Sequence, residues 1–371
     1  MNFDFSDDQK MLRDQARKFL DEKSSRQVVR GVLNDAAVSF DKALWKGVAE
    51  QGWLGVSIPE ELGGLGLGRL ELCVLAEEIG RAVAPIPFSS TLYFFTEALL
   101  TSGSPAQQAK VLPGVVAGDV IGAFAVSEGP GAPSPSSIEA QFDGSKLTGV
   151  KIPVTDGDIA THAVVLAREG QGLSLVLVDL RQAAIKRETL KTLDPTRGHA
   201  KLTFDKANAE RLGKAGEGWD LAEAVLDRAA ILIAFEQIGG SQSCLEMSID
   251  YAKNRYAFSR QIGSYQAIKH KLADMYVGIE LARSNAYYGA WALSTQSAQM
   301  PIAAAAARVA ASDAYYFAAK ENIQAHGGMG YTWEVDCHLF YRRAKLLAVQ
   351  CGGPGTWKEK LVRRLELKNA A

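Results

Sequence analysis

The sequence predicts an α+β multidomain protein with an N-terminal helical domain, a central β-barrel or sandwich domain, and a C-terminal four-helix bundle. Three observations lead there. Apolar residues recur at helical spacing through about residue 118. Between residues 120 and 212 they change to short β-branched or alternating runs cut by turn residues. After Gly216-Glu217-Gly218 the helical period returns and persists. The boundaries that follow are 1–118, 119–215 and 216–371. A chain of 371 residues has room for two or three packed subdomains.

In the first segment, Ser6 with Gln9 three residues on makes a capping box, and Met11, Leu12, Ala16, Phe19 and Leu20 follow at helical spacing. A second helix is expected from Phe40 to Gln51, stopping at Gly52. Pro59 to Gly68 is glycine-rich, yet it has neither the Lys-Ser/Thr of a Walker loop nor the glycine spacing of a dinucleotide fingerprint. It reads as a connector between helices. Further helices are expected at Glu71 to Arg81, Thr91 to Ser102 and Pro105 to Ala117.

Segments such as Ile121 to Val126, Ile138 to Asp143, Lys146 to Val150, Ala163 to Ala167 and Leu173 to Asp179 read as strands. Gly144, Asp156-Gly157 and Glu169-Gly170 punctuate them, and the β domain ends near Leu212. The bundle helices are expected at Trp219 to Tyr256, Ile268 to Gln296, Pro301 to Ala325 and Glu334 to Val349. The stretch Ala229 to Phe235 is apolar on every face, which suits the interior of a bundle.

Composition excludes several function classes. With 47% apolar and 22% charged residues, the chain is ordinary for a globular protein. A net charge of -1 leaves no global footprint for nucleic acid or an anionic membrane. No run reaches the ~18 apolar residues of a membrane span. The acidic start, Met1 to Asp8, does not read as a signal peptide. Cys73, Cys244, Cys337 and Cys351 are far apart with no CxxC pair and read as reduced thiols, so a cytoplasmic location is expected.

The organising stretch is Gln324-Ala325-His326-Gly327-Gly328-Met329-Gly330-Tyr331, where an alanine-rich helix breaks on three glycines. It resembles the Gln-x-x-Gly-Gly-x-Gly-Tyr/Phe signature of the acyl-CoA dehydrogenase family, and Arg342-Arg343-Ala344-Lys345 follows at that family's distance. Arg255-Tyr256-Ala257-Phe258, Gly263 and Gln266-Ala267-Ile268 are similar to its Arg-x-x-Phe-Gly…Gln-Ala-Ile element. Val126-Ser127-Glu128-Gly129-Pro130-Gly131 resembles its Val-Thr-Glu-Pro-Gly-Ala loop, and Pro59 to Gly68 its N-terminal glycine-rich loop. The matches span nearly the whole chain.

The resemblance implies FAD as cofactor and α,β-dehydrogenation of an acyl-CoA thioester, with an electron-transferring flavoprotein as acceptor. Arg255 suits a forked contact with a pyrophosphate. Phe258 would face the adenine end, and Gln266 and Gln324 would meet ribityl or ribose hydroxyls. Gly327 and Gly328 would let backbone approach a neighbouring subunit's dinucleotide, and Ser127 and Thr155 would supply hydroxyls to the isoalloxazine edge. Taken singly, Arg255 also reads as a surface salt bridge and Gln324 as a helix C-cap neighbour. His326 reads as structural.

The departures concern the catalytic base. The family's usual glutamate falls on Cys351 when counted from Gly330, or on Pro354 when anchored on Gly355-Thr356. Its alternative position, on the first bundle helix, falls on Ala229, with Ala230 in place of an arginine and Asp227 at the substrate-binding aspartate. In Ile152-Pro153-Val154-Thr155, Pro153 stands where the family often has tryptophan, which implies a less shielded flavin face or a wider pocket. Glu236 lies two turns beyond Ala229, ~10 Å along the axis, in the most apolar part of that helix. It reads either as a displaced base with a raised pKa or as a structural carboxylate paired with a neighbouring helix.

This pattern resembles heteromeric family members acting on bulky CoA thioesters in lipid or steroid catabolism. It implies a hetero-oligomer (a heterotetramer) in which a homologous partner supplies the glutamate. Three alternatives remain open: a self-sufficient dehydrogenase using Glu236 or Asp227, a cofactor-free scaffold, and a flavin oxidase or monooxygenase. No metal, nucleic-acid or membrane partner is expected.

Overall fold

Ser6 opens the first helix as its sequence predicts. Its hydroxyl accepts from the Gln9 backbone N–H, and its own N–H donates to the Gln9 side chain, capping α1 (Asp7–Lys23). The computed structural model describes residues 5–35 and 37–370, so the first four residues of the acidic start lie outside the described residues. An unanticipated α2 (Arg26–Asn34) follows, only nine residues long, burying Val29 and Val32. α3 (Lys42–Glu50) takes its N-cap from Asp41, and the chain leaves it through Gly52 at φ 75°.

The glycine-rich segment is a connector, as read. Gly64 is required there, because a Cβ would sit 2.0 Å from the Ile58 carbonyl oxygen. α4 (Arg69–Ala82) comes next. The helix expected from Thr91 is a π-helix over Ser89–Thr96 that runs into α5 (Glu97–Ser102). α6 (Pro105–Val116) begins behind a Ser104 capping box.

The chain divides into two compact units. One comprises Arg30–Leu72 and Pro85–Ala229. It holds β1 (Gly122–Ala125), β2 (Gln141–Phe142), β3 (Lys146–Thr155), β4 (His162–Glu169), β5 (Gly172–Asp179), β6 (Ile185–Thr189), β7 (His199–Asn208) and β8 (Glu210–Leu212). These form a single eight-stranded sheet among the described residues, ordered β6-β7-β3-β2-β4-β5-β8, with β1 parallel to β4. The runs in β4 and β5 are buried on both faces, which their unbroken apolar composition explains. The π-helix is fully buried, and a Cβ at Gly122 of β1 would lie 2.2 Å from the Phe95 ring.

Three expectations in the sheet need correction. Of Ile138 to Asp143 only Gln141–Phe142 pairs. β3 runs on past Val150 to Thr155, because a register shift between Lys151 and Val154 carries the strand through Pro153. β6 and β7 were not singled out, although Ala200, Leu202 and Phe204 alternate inward along β7.

The other unit comprises Met1–Val29, Cys73–Ala84 and Ala230–Ala371. Its helices are the remainder of α7 (Gly218–Asn254), α8 (Gln266–Ser294), α9 (Met300–Ala325), α10 (Cys337–Val349) and α11 (Pro354–Ala370). α9 packs against α8, α10 and α11. Residues Ala230 to Phe235 are fully buried, as the all-round apolar pattern requires. α11 adds a helix to the expected four; its glycine-rich approach reads as loop, but Pro354 occupies its first turn and Trp357 is buried. Within this unit α4 and α7 cross at glycines: a Cβ on Gly80 would lie 1.8 Å from the Glu236 carbonyl oxygen, and one on Gly239 1.8 Å from that of Glu77. No helix among the described residues is long and apolar enough to cross a membrane.

Candidate functional site

After α7 the chain forms a small hairpin of β9 (Tyr256–Ala257) and β10 (Arg260–Gln261). The two residues between them, Phe258 and Ser259, both have positive φ, 50° and 64°, as a type I′ turn demands. Phenylalanine adopts that conformation uncommonly. Here it leaves the ring 93% exposed at the hairpin tip. Tyr265 braces the hairpin by donating its hydroxyl to the Ala257 carbonyl at 2.9 Å, and the Arg260 guanidinium stacks 3.9 Å over its ring. Arg255 is exposed, and its side chain makes no hydrogen bond or ion pair among the described residues, so the salt-bridge alternative has no partner here. Gln266, the first residue of α8, is likewise exposed with its amide unengaged.

The end of α9 lies beside this hairpin. Tyr251, one turn before Arg255, stacks on His326 at 4.2 Å, and His326 follows Gln324 by two residues. His326 is structural: it is buried, its Nδ1 meets the Asn322 carbonyl at 2.8 Å, and burial holds its pKa below the usual histidine value. Gln324 is exposed, with its side chain unengaged. Gly330 serves the chain itself, since a Cβ would lie 2.3 Å from the Ile323 carbonyl oxygen. Gly327, at φ 59°, and Gly328 are different: a Cβ on either would meet nothing within 4 Å. The space they leave faces outward.

In the sheet-bearing unit, the Ser127 carbonyl accepts from the Ile152 N–H at 2.9 Å, three residues before Thr155. An ion pair holds this loop. Glu128 accepts from Lys151 Nζ at 2.6 Å and from the backbone N–H groups of Glu139 and Ala140 at 2.7 and 3.1 Å. Lys151 is fully buried, also donates to the Val126 carbonyl, and burial pushes its pKa down to about 8. A cleft of about 520 Å³ opens alongside, lined by Ser127, Glu128, Gly131, Ser137 and Thr148 among others. Thr155 ends β3 opposite His199 of β7, and their side chains meet, Oγ1 to Nε2, at 3.3 Å. Pro153, in the tryptophan position, is exposed after a cis Ile152–Pro153 bond.

Sequence reasoning missed Glu128, Lys151 and His199. Only the strand alternation that carries Lys151 inward could have drawn attention to it.

None of the residues on which the family's base positions fall by sequence count is a carboxylate. Ala229 is fully buried. Cys351 is 7% exposed, and its carbonyl accepts from Trp357 Nε1 at 3.2 Å. Pro354 is the first residue of α11. Asp227 is 4% exposed; its neighbour Arg228 lies 3.8 Å from Glu97, which Arg69 grips with a fork of hydrogen bonds. Glu236 and Arg343 are both fully buried, with Oε1 and Nη1 3.5 Å apart.

The family model for the acyl-CoA dehydrogenase N-terminal domain matches residues 6–119, and that for the C-terminal domain matches residues 216–364. The chain belongs to the acyl-CoA dehydrogenase family. Acyl-CoA dehydrogenase IpdE2 of Mycobacterium tuberculosis is 34% identical over 361 residues, covering 97% of this chain and 96% of its own. The ChsE4-ChsE5 complex from Mycobacterium tuberculosis contains a chain with TM-score 0.89 and 26% identity, covering 99% of both chains. The Tcur3481-Tcur3483 steroid ACAD gives TM-score 0.88 and 29% identity, covering 98% of this chain and 99% of that one.

Acyl-CoA dehydrogenases are FAD-dependent oxidoreductases acting on acyl-CoA. The residues present fit that cofactor. Arg255, Gln266 and Gln324 carry donors that no group among the described residues engages, beside an exposed aromatic ring and two glycines facing open space.

Proposed function

We propose that this acyl-CoA dehydrogenase chain is one subunit of a hetero-oligomer in which a homologous partner supplies the catalytic glutamate. One observation carries the reading: neither family base position holds a carboxylate, since Ala229 and Cys351 are buried and Pro354 starts a helix. Glu236 does not fill the gap, because it is fully buried with Arg343 3.5 Å away inside the helical unit, the arrangement of a structural ion pair. The partner reading also draws on the ChsE4-ChsE5 complex, a relative that assembles from two different chains.

FAD, when bound, supplies the hydride acceptor at the β carbon. This chain's residues do the holding. Arg255 clamps the pyrophosphate by a forked, charge-assisted contact. Phe258 covers the adenine end, and Gln266 and Gln324 engage ribose or ribityl hydroxyls. Gly327 and Gly328 admit the dinucleotide of a neighbouring subunit at close backbone approach. Ser127 and Thr155 present hydroxyls to the isoalloxazine edge, and Asp227 contacts the substrate. The thioester carbonyl must be polarised for a carboxylate to remove the α proton, and water must be kept out so that the base stays near neutrality.

The substrate class is a bulky CoA thioester, steroid-derived in the leading case. Pro153 in place of a tryptophan frees room at the flavin face, and one relative of this fold is a steroid ACAD. Electrons leave to an electron-transferring flavoprotein. Purification alone and with a base-bearing homologue is the test: turnover of an acyl-CoA only in the mixed assembly is expected. An FAD-bound, active enzyme made from this chain alone would sink the partner requirement.

A further inference from the structure

We propose that His199 fixes which way the Thr155 hydroxyl points, so that Thr155 offers the cofactor an acceptor rather than a donor. The inference rests on the proposed reading of Thr155 as a contact to the isoalloxazine edge, and adds a positioning residue behind it.

The geometry begins with strand register. Thr155 of β3 and His199 of β7 are directly paired in an antiparallel ladder, which puts both side chains on one face of the sheet. His199 is buried, and each ring nitrogen has one partner: Nδ1 lies 3.2 Å from the Arg197 carbonyl oxygen and Nε2 lies 3.3 Å from Thr155 Oγ1. A carbonyl oxygen only accepts, so Nδ1 must carry the proton. In the neutral ring Nε2 is then a lone pair, and among the described residues the donor facing it is the Thr155 hydroxyl.

Two charged side chains stand near His199, and each has a hydroxyl partner of its own. Asp156 accepts from Ser90 Oγ at 2.6 Å, and Arg197 donates from Nη1 to Ser89 Oγ at 2.7 Å. The Asp156 N–H is taken by the Gly198 carbonyl at 2.7 Å, which clamps the two strand ends together. The Thr155 proton is therefore drawn inward, and the oxygen lone pairs are left for whatever lies outside. Thr155 itself is only partly buried, so its oxygen has an outward side.

Reduction of an isoalloxazine ring turns a ring nitrogen from acceptor into N–H donor. A hydroxyl held as an acceptor matches the reduced form and mismatches the oxidised one. His199 thereby biases the cofactor toward reduction without touching it.

Two measurements test this. In the full chain without flavin, ¹⁵N NMR of the histidines is expected to show His199 protonated on Nδ1 and bare on Nε2, with the Nε2 signal moving in Thr155→Val. An Nε2-protonated tautomer or a doubly protonated ring at neutral pH would overturn the proposal. In the flavin-loaded protein, with its partner where loading needs one, the midpoint potential is the second readout. His199→Phe is expected to lower the reduced-to-oxidised ratio about tenfold, which is about 30 mV for a two-electron couple. His199→Gln, whose amide oxygen can reach the Nε2 position, is expected to restore most of it. In a Thr155→Val background His199→Phe should do nothing more; a shift of full size there would mark a merely structural effect and overturn the proposal. Thr155→Val with an unmoved potential would instead remove Thr155 from the flavin, and the underlying reading with it.

Discussion

Arg343 Nη1 of α10 lies 3.5 Å from Glu236 Oε1 of α7, and neither side chain is exposed at all. A buried carboxylate 3.5 Å from a buried guanidinium is one half of a structural ion pair rather than a carboxylate free to reach a substrate. Removing one member of such a pair costs about 3 kcal/mol or more, because the other charge stays buried. Glu236→Gln is therefore expected to lower stability by that amount in urea unfolding, while turnover per folded, flavin-bound assembly stays within about twofold. A loss of turnover of a hundredfold at unchanged stability would restore Glu236 as the base.

Counted from Gly330, the family's usual glutamate falls on Cys351, which is buried with its backbone tied to Trp357. Cys351→Ala removes a small buried side chain and no ionised group. Turnover of the mixed assembly should stay within about twofold, with a stability loss of roughly 1 kcal/mol. A collapse of turnover would mean that the thiol takes part in the chemistry.

Arg255 separates folding from cofactor binding. Its guanidinium has no partner among the described residues, so Arg255→Ala should change stability by no more than about 0.5 kcal/mol. Flavin retention should suffer far more, on the order of 1.5–3 kcal/mol for lost charged hydrogen bonds. Arg255→Lys should recover only part of it, because a point charge does not reproduce the fork. Flavin absorbance after gel filtration, set beside thermal melts, reads both quantities. Equal losses in the two would refute the assignment.

The glycines make the same separation by shape. A Cβ on Gly239 collides with the Glu77 carbonyl oxygen at 1.8 Å, so Gly239→Ala should destabilise the helical unit by about 3 kcal/mol or more. A Cβ on Gly328 meets nothing, so Gly328→Ala should melt like the parent chain and still retain less flavin. If Gly328→Ala keeps its full flavin content, no second body approaches that backbone.

Lys151 gives a pH signature. Its amine is held at about 8 in the folded chain against an ordinary 10.5, chiefly by burial. Between those values the unfolded chain binds more protons than the folded one, so this group's contribution to stability rises with pH through that window. Below about pH 8 the cost of the buried charge is present in full. The difference between parent and Lys151→Met unfolding free energies should therefore shift by about 3 kcal/mol in the parent's favour from pH 8 to 10.5. Parallel curves would show that the amine titrates normally.

Much of this was legible in the chain itself, because the signals are local. The Ser6 capping box, the stop at Gly52, the all-apolar turn ending at Phe235 and the glycine break after His326 each depend on residues a few positions apart. Where local signals conflict, reading fails: Pro153 argues against a strand that a bulge nevertheless carries through to Thr155, and the glycines before Pro354 hide the start of α11. The missing carboxylates at Ala229, Cys351 and Pro354 are a property of composition and order alone. What those absences leave behind is not. That Glu236 faces Arg343, that Thr155 meets His199, and that the Arg255 guanidinium finds no partner among the described residues are outcomes of helix packing and strand register, which bring distant residues within hydrogen-bond range or hold them apart. Periodicity names the face on which a side chain lies, but only tertiary packing decides what it finds there.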